Sequence, residues 1–160
     1  MPLINLTDLN NSLPRHARLL GLDPGARRIG IALSDVNRRL ASPYSTIHRA
    51  KLAHNAAEIT AIAQAEGAGG LVIGLPLSDD GMLGPAAQSA RDWAHAISQA
   101  TGLPATLWDE TLTTADLHDV LINEADMTRA RRAAVIDKMA AAKILQMALD
   151  YLSNTSPPDF

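Results

Sequence analysis

The chain has 160 residues, no cysteine, 47% hydrophobic but only 3% aromatic residues, and a formal net charge of −3. That length fits one domain with a core built from Ala, Leu, Ile and Val, and the missing cysteine excludes disulfides and thiolate metal sites. No apolar run approaches the roughly 18–20 residues of a membrane helix.

Residues 1–17, MPLINLTDLNNSLPRHA, read as a polar leader without the charged and long apolar regions of a signal peptide, so a cytoplasmic chain with no membrane partner is expected. Apolar runs predict strands at about 18–23 and 28–35, joined by a tight turn through Gly25. A third extended piece near 41–48 contains Pro43, which suggests an edge or irregular strand. Leu52, Ala56, Ile59 and Ala63 recur at helical spacing, with Gly67 as the stop. GLVIGLPL (70–77) is continuous and apolar, as in a buried parallel strand. SDDGMLGP reads as a loop, followed by a helix over about 86–100 and a short strand at PATLWDE. A helix opened by Thr113 or Thr114 comes next, then a basic loop MTRARR and a last helix over about 134–152. Residues 153–160 carry no core pattern and read as a flexible tail. The expected organisation is a single domain over 18–152 in an α/β fold. Its mixed sheet has three initial antiparallel strands, then parallel strands, flanked by helices in the ribonuclease H-like order.

Charge is segregated along the chain. Residues 1–51 hold eight Lys/Arg against three Asp/Glu, while residues 52–126 hold one Arg against eleven acids. Such a pattern suits a cationic rim beside a carboxylate cluster. Three acidic positions resist a purely structural account. Asp23 ends an apolar strand, Asp109-Glu110 end the strand after Trp108, and Asp137 interrupts the apolar AAVIDKMAAAKIL. The small Ala140, Ala141 and Ala142 would let the last helix approach the sheet closely. If the acids converge, their repulsion calls for protonation or a hard divalent cation. Oxygen-only donors favour Mg²⁺, with Mn²⁺ as a substitute, over Zn²⁺. Paired ions of that kind activate water for attack on a phosphodiester. Turn capping by Asp23 and helix capping by Asp109, Glu110 or Asp137 are the competing structural roles. Arg27, Arg28, Arg129, Arg131 and Arg132 are candidate phosphate contacts. The five histidines show no metal-ligand spacing.

The segments LGLDPGARRIGIALSD, LASPYSTI, LVIGLPLSDDGMLGPAAQSARDWA, LPATLWDETLTT and IDKMAAAKILQMALDYL, in this order over about 18–152, together resemble the YqgF/RuvX family of ribonuclease H-like nucleases. Members are described as pre-16S rRNA nucleases, and some as Holliday junction resolvases. The resemblance implies a metal-dependent phosphodiesterase acting on structured pre-rRNA or, alternatively, branched DNA, as a monomer or homodimer. It matches Asp23 to the family's first-strand acid, Glu110 to the acid of its D-E-R-L-T-T segment and Asp137 to the acid of its final helix, with Asp109 as a further possible metal ligand. Thr111 stands where the family usually has arginine. That departure keeps a third reading open, a non-catalytic RNA- or ribosome-binding module on the same fold.

Overall fold

The computed structural model describes residues 3–75, 85–109 and 129–155. The expected loop at SDDGMLGP, the helix opened near Thr113, and the last residues of the tail lie outside the described residues, apart from Pro85. The elements are α1 (Leu6–Ser12), β1 (Arg18–Pro24), β2 (Arg28–Ser34), β3 (Ala41–His48), α2 (Leu52–Glu66), β4 (Ala68–Leu75), α3 (Pro85–Thr101), β5 (Ala105–Asp109) and α4 (Arg129–Thr155). The five strands form one sheet in the order β3-β2-β1-β4-β5. β1 and β2, and β2 and β3, pair antiparallel, whereas β4 lies parallel to both β1 and β5. This is the ribonuclease H-like arrangement expected from the strand and helix order.

Strand alternation divides the apolar residues between two layers. Leu20, Leu22, Ile29, Ile31, Leu71 and Ile73 pack with Ile59 of α2 and Ile97 of α3. Leu19, Ala32 and Val72 face the other way, against Ala141, Leu145, Ala148 and Leu149 of α4. Within α4, the positions 137, 141, 144–145 and 148–149 return every three or four residues, which is the stripe a helix lays on a sheet. Gly67 closes α2 in the left-handed region at φ 70°, its N–H bonded to the Ala63 carbonyl, as its place after the apolar stripe predicts.

Three expectations are corrected. Residues 3–17 are not merely a polar leader: Leu6 and Leu9 of α1 are buried in the α4-side core, and the Ile4 N–H donates to the Ala105 carbonyl at 2.9 Å. The helix carries only these two buried apolar residues, too few to announce burial without the groove that receives them. The basic stretch is not a loop either, because Arg129, Arg131 and Arg132 already lie within α4. Cations near a helix N-terminus oppose its dipole, so the sequence signals point to a later start. At the other end α4 runs to Thr155, beyond the expected tail boundary. Among the described residues, no helix is long and apolar enough to cross a membrane.

Candidate active site

Asp23 is the next-to-last residue of β1 and pairs with Gly30 of β2. By alternation it shares the α4 face with Leu19 and Gly21, and it is partly buried. The turn that follows is tight: the Gly25 N–H donates to the Arg28 carbonyl at 2.8 Å. A Cβ at Gly25 would also lie 2.8 Å from that oxygen, so glycine is required there by contact and not by a positive φ.

Gly30 decides where α4 rests. A Cβ at this position would overlap the backbone carbonyl of Asp137. At Gly21, two residues back from Asp23, a Cβ would come within 2.8 Å of the Leu145 Cβ and 3.0 Å of the Ala141 carbonyl. The helix therefore lies directly on a glycine floor, and the small residues expected on its side do allow that approach. Thr46 of β3 reinforces the docking, its hydroxyl donating to the Ala134 carbonyl. Gly30 is the register partner of Asp23, so the Asp137 backbone rests on the strand next to Asp23 at the same end of the sheet.

Arg28 completes the group. Its Nε donates to Asp137 Oδ2 at 2.5 Å, with side-chain exposures of 35% and 23%. The expected phosphate contact is thus engaged with a site carboxylate, and Asp137 has a charged partner for its place among apolar neighbours. Arg27 is exposed. Arg132 is half-buried, Arg129 and Arg131 exposed; at 1.5 Å per helical residue, Arg132 precedes Asp137 by about 7.5 Å along the axis. Asp109 ends β5 opposite Leu75. That is two strands from β1, or about 10 Å across the sheet. Glu110 and Thr111 lie outside the described residues.

Asp23 and Asp137 offer only oxygen donors, which fits a hard divalent cation better than zinc. Among the described residues no group of three or more His, Asp or Glu side chains is assembled. Sequence reasoning missed the part played by Gly21 and Gly30. The available signal was parity: both share the face of Asp23, opposite a helix rich in alanine.

Comparison with known proteins agrees with this architecture. The family described as "RuvX: Holliday junction resolvase" matches residues 17–151. A protein of Acidiphilium cryptum bearing the name "Putative pre-16S rRNA nuclease" is 59% identical over 159 residues, covering 99% of this chain and 100% of its own length. A protein of Gluconobacter oxydans with the same name is 51% identical over 160 residues and all of both chains. Among solved structures, Thermus thermophilus RuvC in complex with Holliday junction substrate aligns with a TM-score of 0.54 at 15% identity, over 90% of this chain and 100% of that one. At that identity the likeness shows the fold, while the family match and the close full-length relatives carry the assignment: this chain belongs to the RuvX family.

Proposed function

We propose that this chain is a cytoplasmic nuclease that hydrolyses phosphodiester bonds in the 5′-end processing of pre-16S rRNA, with Asp23, Glu110 and Asp137 holding Mg²⁺ or Mn²⁺. The observation that carries the reading is Asp137 brought to the register partner of Asp23 by the glycine floor, in a chain whose full-length relatives bear that name. When bound, such a cation lowers the pKa of a water and stabilises charge developing on phosphodiester oxygens. The chain's own residues supply the frame. Arg28 fixes the Asp137 carboxylate through Nε, which limits its rotamers before any ligand arrives. Asp23 is held at the strand end by its pairing with Gly30. Arg27, Arg129, Arg131 and Arg132 offer cations to the phosphate backbone of structured RNA.

Cleavage of a pre-rRNA 5′ leader that requires Mg²⁺ or Mn²⁺, and that is lost in Asp23→Asn with the fold retained, is the expected result. Cleavage persisting in that variant or in EDTA would overturn the proposal. Resolution of branched DNA is a second reading, favoured by the description of the matched family. Comparing the RNA leader with a four-way DNA junction at matched salt separates the two, since phosphate contacts make both affinities salt-dependent. Two symmetric cuts in a junction would call for a homodimer, whereas RNA cleavage is compatible with a monomer.

A further inference from the structure

The Gly25 turn is bordered, on the α2/α3 side of the sheet away from the Asp23 face, by a cationic strip that neither the family match nor the relatives' names assign. β3 pairs with β2 so that His48 lies opposite Arg28, and the chain then leaves the sheet through Arg49, Ala50 and Lys51, all exposed. From Val36 to Ala57 the sequence contains no Asp or Glu. The strip is nonetheless held rigidly. The Arg49 N–H donates to the Arg27 carbonyl at 2.9 Å, beyond the last strand pair. Asn55, fully buried, accepts from the Ala50 N–H at 2.8 Å and donates to the His48 carbonyl at 3.0 Å. The Arg49 guanidinium donates Nη1 to the Gly25 carbonyl at 2.9 Å and lies 5.4 Å from the Trp93 ring centroid.

These contacts orient Arg49 but leave most of its five N–H donors for another partner. Among the described residues, Arg27, Arg49 and Lys51 have no carboxylate partner, unlike Arg18 with Glu66 and Arg28 with Asp137. A buried asparagine and a buried tryptophan thus fix the backbone and one guanidinium of an exposed cationic edge, while the neighbouring Glu58 carboxylate is taken up by Asn55 and His54. That edge starts at the turn immediately after Asp23. Fixed cations beside a candidate phosphodiesterase centre suit repeated phosphates, and pre-organisation lowers the ordering cost of binding them.

We propose that Arg27, Arg49 and Lys51 form a rail that binds the phosphate backbone of the nucleic-acid strand and leads it across the Gly25 turn to Asp23. This rests on the nuclease reading above for the nature of the strand. The test is fluorescence anisotropy of a labelled single-stranded RNA in EDTA, so that cleavage does not interfere, over a series of salt concentrations. Each lost phosphate contact should flatten the plot of log affinity against log salt by about 0.7. The R27A/K51A double variant should lose close to two such contacts, and adding R49M, which keeps an apolar side chain on Trp93, close to a third. R49K should retain the slope, because charge sets it. A wild-type slope in the double variant overturns the rail, and this readout stands even where the Arg49 variants fail to fold. Absence of RNA binding by the wild type would instead remove the RNA-processing reading from which the rail takes the nature of its strand.

Discussion

The contact between Gly30 and α4 makes the sharpest prediction about stability and activity together. In Gly30→Ala the new methyl group meets the Asp137 backbone carbonyl, an atom that cannot rotate aside as a side chain would. The helix must lift, losing packing along Ala141, Leu145, Ala148 and Leu149. Overpacking typically costs 1–3 kcal/mol, and a backbone clash places this case near the top, about 3 kcal/mol. For a chain of this size that lowers Tm by about 6–12 °C. A helix displaced by about 1 Å also moves Asp137, and misplacement on that scale costs about 100-fold in rate. Gly67→Ala is the control. Its Cβ would meet nothing within 4 Å, and the φ of 70° alone is penalised, at about 1–2 kcal/mol, with cleavage retained. Thermal melts and initial rates on all three proteins decide the matter. If Gly30→Ala melts no lower than Gly67→Ala and cleaves at the wild-type rate, the helix does not rest on Gly30 as described.

Arg28→Ala should lower stability only modestly, by about 0.5–1 kcal/mol, because the pair is partly exposed; a urea titration checks it. Leu9→Ala should cost about 2–5 kcal/mol, since Leu9 is fully buried. A change below 1 kcal/mol would show that α1 is not part of the core. At Asp35, burial raises the carboxyl pKa, but the N–H groups of Leu40, Arg39 and Asn37 outweigh it and hold the value below the usual 3.8. The depressed folded-state pKa means that its charge-linked stability is fully present above pH 3.8 and is lost as pH falls through the folded value. The stability gap between wild type and Asp35→Asn should therefore be constant above about pH 4 and narrow below it, as acid-range denaturation curves would reveal.

The strands were legible because Leu19–Leu22, Ile29–Leu33 and Leu71–Ile73 are apolar runs bounded by turn residues, and Gly67 marks a helix end whatever surrounds it. Tertiary context decided the remainder. α1 is stable only in a groove that α4 helps to build, so two leucines among polar residues did not reveal it. The start of α4 was hidden by arginines that disfavour a helix N-terminus locally. Asp23 and Asp137 were each conspicuous as carboxylates in apolar surroundings. That the Asp137 backbone rests on the register partner of Asp23 depends on the register of a helix against a sheet, which Gly21 and Gly30 set and which one-dimensional spacing does not encode. The Arg28–Asp137 pair spans 109 positions and is likewise invisible without the fold. Glu110, the third acid of the proposed site, lies outside the described residues and rests on the sequence resemblance.

The proposed function requires Asp23 and Asp137 to hold a divalent cation at this end of the sheet. A crystal of the protein soaked in Mn²⁺ and measured for anomalous scattering tests it most directly. Density within about 2.0–2.2 Å of oxygens from both Asp23 and Asp137 is expected, lost in Asp23→Asn. Manganese bound elsewhere, or none at a concentration that supports RNA cleavage, would contradict it.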